Sequence, residues 1–113
     1  MKKISFKSAI TKENGSACTV VEYPLANKNV DFAIATITGR YPEARRVVNQ
    51  QCDEIAYVAE GDGILVLEDQ THPLKKGDVV IIEAGERYYW QGNMKLMMTC
   101  RPAWSPEQHL IVD

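Results

Sequence analysis

The sequence predicts an all-β fold, a barrel or sandwich of short antiparallel strands. Runs rich in β-branched and aromatic residues, such as Val79–Ile82 and residues 87–91, are separated by Gly, Asp and Asn turn signals. These signals recur at intervals of roughly eight to twelve residues, as in sandwiches and barrels. No stretch of useful length repeats its apolar residues with helical period. The organising region is residues 39–92, which holds two glycine-punctuated strand pairs, residues 54–63 and 77–90.

Each element follows from local chemistry. Cys18–Tyr23 reads as a strand that Pro24 ends. In residues 31–38, Phe32, Ile34, Thr36 and Thr38 share one face, and Ala33, Ala35 and Ile37 the other. This predicts a strand buried to some degree on both sides, closed by Gly39. Residues 45–48 form a short strand. In residues 54–60, Glu54, Ala56 and Val58 fall on one face and Ile55, Tyr57 and Ala59 on the other. Gly61-Asp62-Gly63 predicts a turn, and residues 64–67 continue out of it. Turns at Asp69-Gln70, at residues 75–78 and at residues 83–86 bound strands at 71–74 and 79–82. Residues 87–91 return, Gly92-Asn93 turns, and residues 94–101 form the last long strand. Residues 102–113 read as a tail, in which Ser105 and Pro106 predict one helical turn.

Length and composition narrow the class. A chain of 113 residues is one domain on length. Its 45% hydrophobic and 25% charged residues are those of an ordinary soluble protein with one core. The formal charge of -2 comes with no basic stripe, which argues against nucleic acid as a partner. Apolar runs are too short to cross a bilayer. The basic start, Met1-Lys2-Lys3, is followed by no apolar core, so no signal peptide is expected. Three widely spaced cysteines make no disulfide framework, and a cytoplasmic location with reduced thiols is expected.

The glycine spacing and strand pattern resemble the two motifs of small single-domain cupins, over roughly residues 30–109. Glu54 and Gly61 keep the separation of the first motif's Glu and Gly. Gly77 and Gly85 hold their places in the second. The resemblance implies a double-stranded β-helix, or jelly-roll barrel, of six to eight strands. Its core would span about residues 17–101, and small cupins usually form homodimers. In the family, two histidines, the glutamate and a third histidine bind one divalent metal. Counted back from Glu54, the His-x-His places fall on Val48 and Gln50, or on Val47 and Asn49. Counted forward from Gly39 they fall on Arg45 and Val47. Tyr88 stands at the third histidine's place, Glu83 at the second motif's proline and Gly92 at its final asparagine. Only Glu54 of the usual ligands remains. A carboxylate, an amide and a phenol of pKa about 10 make a poor divalent-metal set, so no metal cofactor is expected.

The candidate ligand-binding residues are therefore Gln50, Glu54, Tyr88, Trp90 and Arg45. Glu54 is expected to face the barrel interior, where a carboxylate needs a partner or a raised pKa. It is either a ligand-binding or acid–base group, or a structural acid tied to a buried Arg or Tyr, with Arg45 the nearest counter-ion. Tyr88 and Trp90 share a strand face and line either an aromatic pocket or an ordinary core. His72 and His109 match no motif position and are expected to be exposed. Cys52 and Cys100 have no adjacent base and read as small buried residues. Three functions remain open: a small-molecule-binding barrel, a cupin-superfamily enzyme of metal-free isomerase type or with an altered metal, and an inert structural barrel.

Overall fold

A computed structural model of the protein describes all residues, 1–113. Nine strands form one curled antiparallel sheet. They are β1 (Ile10–Gly15), β2 (Cys18–Tyr23), β3 (Phe32–Tyr41), β4 (Arg46–Asn49), β5 (Asp53–Leu67), β6 (Gln70–Lys75), β7 (Val79–Ile82), β8 (Arg87–Arg101) and β9 (His109–Val112). Two single-turn 3-10 segments, Phe6–Ser8 and Pro106–Gln108, are the helical content. The path runs β1-β2-β3-β8-β4-β9, while β5 pairs with β6, β7 and β8. The jelly-roll expectation holds, with one strand more than the upper bound read from the sequence. No helix is long and apolar enough to cross a membrane.

The long strands β5 and β8 are the spine of the sheet, paired from Asp53↔Arg101 to Leu67↔Tyr88. The turns expected at Gly61-Asp62-Gly63 and Gly92-Asn93 are absent, because both strands run on through these glycines. Their role is close approach instead. Gly39 pairs with Gly92 on one side and Gly63 with Gly92 on the other. A Cβ at Gly63 would collide with the Gln91 carbonyl, and one at Gly92 with the Gly63 backbone. This glycine row, with a bulge between Val58 and Glu60, lets the sheet bend into a barrel.

The interior follows the two-residue period. Glu54, Ala56 and Val58 are buried while Ile55 is 42% exposed. Ile37, Val47, Leu65, Ile82, Trp90 and Leu96 pack in the same core. Strand β3 is buried unequally on its two faces: Ala35 and Ile37 are buried, whereas on the other face only Ile34 is half-buried and Phe32, Thr36 and Thr38 are exposed. Threonines tolerate a solvated face, so alternation alone did not separate the two cases.

Both ends of the chain join the sheet. Polar residues 10–15 pair with β2 as a solvated edge strand. The expected tail folds back instead: Pro106–Gln108 makes the helical turn read from Ser105 and Pro106, and β9 then pairs with β4 from Arg46↔Val112 to Asn49↔His109. This return carries His109 to the barrel.

Candidate functional site

One cavity of about 80 Å³ opens into the barrel. That is room for a few waters or for the end of a small ligand. Its deep walls include Glu54, Tyr88, Trp90, Leu96 and Cys100, with Tyr41 and His109 to one side. Asn14, Glu22, Asp31 and Trp104 lie toward the surface, and small or aliphatic residues of β2 and β3, Val20, Ala35 and Ile37 among them, line most of the rest. Tyr88 and Trp90 are each 2% exposed and meet edge to face, with ring centroids 6.2 Å apart.

Strand parity decides which candidates reach it. Glu54, Tyr88 and Trp90 line the cavity together. Gln50 does not: it is exposed, and its backbone N–H donates to the Gln108 carbonyl at 2.9 Å. The chain leaves β4 after Asn49, so the inward residues are Val47 and Asn49, at 0% and 1% exposure. The alternative register, on Val47 and Asn49, is the one the fold adopts. Arg45 also lies outside. It is exposed, adopts φ of 68°, and pairs with Asp113 at 3.0 Å. It is no counter-ion for Glu54.

The return of the chain builds a polar network at one wall. Asn49 Oδ1 accepts from Gln108 Nε2 at 3.2 Å and lies 2.7 Å from His109 Nδ1. Asn49 Nδ2 donates to the Tyr88 hydroxyl at 3.2 Å. An amide oxygen can only accept, so the His109 proton sits on Nδ1. Nε2 is then free to accept from the Tyr41 hydroxyl, 2.9 Å away. Burial lowers the His109 pKa from its usual value, which favours this neutral form. The sequence offered no motif for His109, and the expectation of exposure is corrected: it is half-buried against Trp104 and Tyr41.

Glu54 has a different setting. Its Oε1 accepts the Cys100 thiol at 3.6 Å, while the buried Oε2 has no partner. No Lys or Arg lines the cavity. Burial drives its pKa up to about 7; the Cys100 thiol opposes the rise, Asp31 adds to it, and the nearby Asn49 amide opposes it slightly. Burial also lifts the Tyr88 phenol well above 10, with Glu54 adding to the effect. Asp31 itself is held by the backbone N–H groups of Cys100 and Trp104, at 2.7 and 2.9 Å. Glu22 pairs with Lys12 at 2.9 Å.

These residues do not fit the metal of the histidine-bearing cupins. Val47 offers no donor atom, and Asn49 is spent on its neighbours. Burial disfavours the phenolate that Tyr88 would need. No three His, Cys, Asp or Glu side chains converge anywhere in the chain.

Solved structures share its fold at low identity. A variant of Streptomyces PAC13, a nucleoside dehydratase, solved with uridine, superposes with a TM-score of 0.89 at 16% identity, covering 99% of this chain and 90% of that one. KdgF from Halomonas sp. gives 0.72 at 11% identity, covering 95% and 98%. An RmlC-like cupin from Shewanella frigidimarina gives 0.73 at 16%, covering 91% and 93%. No curated protein matches the sequence. The family model for the cupin domain matches residues 39–100, more than half of the chain, and the chain therefore belongs to the cupin domain family.

Proposed function

We propose that this chain is a small-molecule-binding cupin that works without the histidine-held metal, taking a compact polar ligand against Glu54, Tyr88 and Trp90. One observation carries the reading. A carboxyl that is 5% exposed keeps an oxygen without a partner, on the wall of an aromatic-lined cavity. Such an atom costs on the order of 1–3 kcal/mol unless something completes it. An inert barrel would fill that space with aliphatic side chains. A second reading, metal-free acid–base catalysis, draws support from Glu54, whose pKa of about 7 suits proton transfer near neutral pH.

Uridine, which a PAC13 variant of similar fold was captured with, is a reasonable first probe. Calorimetry on the purified protein should detect its binding, and Trp90→Ala should abolish it. Elemental analysis should find well under one equivalent of divalent metal. Near-stoichiometric zinc, iron or manganese that is lost in Glu54→Ala would overturn the metal-free part.

A homodimer is part of the same proposal. Ile55, Val79, Ile81 and Met97 are 42%, 62%, 54% and 37% exposed. They come together on the outer sheet face through the pairs Ile55↔Ile81, Tyr57↔Val79 and Tyr57↔Met97. An apolar face of this kind favours association. Sedimentation showing only a 12.7 kDa species at micromolar concentration would remove this part. Three buried free thiols agree with a reducing, cytoplasmic location.

A further inference from the structure

Two hydrogen-bonding groups in the cavity have capacity left over. Glu54 Oε2 is buried without a partner. The Tyr88 hydroxyl accepts from Asn49 Nδ2 and donates to no neighbouring side chain or backbone atom. Both residues belong to the lining of a single cavity of about 80 Å³. With no cation in the lining and Asp31 nearby, the low-dielectric setting favours the protonated form of Glu54 below about pH 7. A protonated carboxyl and a phenol are then two donors facing one space. A neutral acid kept beside a tyrosine in an apolar site is a known way to hold a carbonyl or enolate oxygen.

We infer that Glu54 and Tyr88 form a two-donor seat for a carbonyl oxygen, so that the pocket's ligands are uncharged ring compounds bearing a carbonyl. Trp90 supplies the flat apolar wall for the ring, and Trp104 lines the outer part. Phosphorylated and carboxylated relatives are disfavoured. They would bring negative charge toward Asp31 with no Lys or Arg in the lining to receive it. This rests on the pocket reading above and adds its chemical class.

The test uses three probes of different charge at pH 6: uridine, uridine 5′-monophosphate and tryptamine, with binding read by calorimetry. Uridine should bind, and its monophosphate at least about tenfold more weakly, as expected for an unpaired anion. Tyr88→Phe should weaken uridine by about five- to tenfold, the loss of one hydrogen bond. Glu54→Gln should stay within about threefold of the unaltered protein, because a neutral amide still donates. Tryptamine binding in place of uridine, with Glu54→Gln abolishing it, would overturn the proposal and make the site a cation seat. Equal binding of uridine and its monophosphate would also overturn it. If none of the three binds to folded protein, the pocket reading fails, and this proposal with it.

Discussion

On the Asn49 side of the cavity, the polar atoms bond one another and only the Tyr88 hydroxyl proton is left over; on the Glu54 side a carboxyl oxygen has no partner at all. Asn49 links Gln108, His109 and Tyr88, and His109 reaches Tyr41. Glu54 has one weak thiol bond and an orphaned oxygen. Both sides are equally deep, with Asn49 1% and Glu54 5% exposed. Burial alone therefore does not mark the site; unused bonding capacity on the cavity lining does, since Arg46 Nη1, also buried without a partner, belongs to a residue outside that lining. A closed network stiffens the fold, and an open valence in the same barrel is held for something that enters.

The largest expected effect breaks the closed side. Asn49→Ala removes three bonds at once, leaving His109 Nδ1 without its partner, Tyr88 without its donor and Gln108 Nε2 with only the Ser105 carbonyl, and should destabilise by about 3 kcal/mol. Denaturant unfolding measures it, and a loss under about 1 kcal/mol would mean the network is not shared through Asn49.

Next comes pH, on which the two sides have opposite signs. The pKa of Glu54 is raised from 4.5 to about 7, so between these values the folded state holds more protons than the unfolded. Its contribution to stability is full below pH 4.5 and is lost as pH rises to about 7, on the order of 3 kcal/mol across the window. His109 is lowered, so its contribution is lost instead as pH falls below 6.5. Glu54→Gln should remove the loss toward pH 7 and leave the acid-side loss in place. Unfolding curves from pH 4 to 8 separate the two, and a slope unchanged in Glu54→Gln would assign it elsewhere.

A smaller effect tests the end of the network. Tyr41→Phe removes only the bond to His109 Nε2 and should cost about 1 kcal/mol. It should leave uridine binding nearly unchanged, since Tyr41 takes no part in the Glu54–Tyr88 seat.

The same contrast explains what could be read in the sequence. The period of two put Glu54, Ala56 and Val58 on one face, the cupin motif implied that this face is the inner one, and the second motif's spacing did the same for Tyr88 with Trp90. The glycines revealed the fold but not their own use. Gly63 and Gly92 look like turn residues, yet they serve backbone approach across paired strands, which depends on strands distant in sequence. Gln50 was separated from Asn49 by a single residue of register, and one residue reverses the face. His109 was hidden for a similar reason. Its partners Asn49 and Tyr41 lie 60 and 68 residues away, and only the pairing of β9 with β4 brings them together. Arg45 looked like a counter-ion by proximity in sequence, but its φ of 68° accompanies a turn that leaves it on the surface.

The most direct measurement is the titration of the Glu54 carboxyl itself, by carbon-13 NMR of glutamate-labelled protein with Glu54→Gln to assign the resonance. The expected midpoint is about 7, moving upward when uridine is bound, because a carbonyl acceptor favours the protonated acid. A midpoint near the ordinary 4.5, or one that moves downward with ligand, would mean that Glu54 is a satisfied or cation-binding carboxylate and not an open donor.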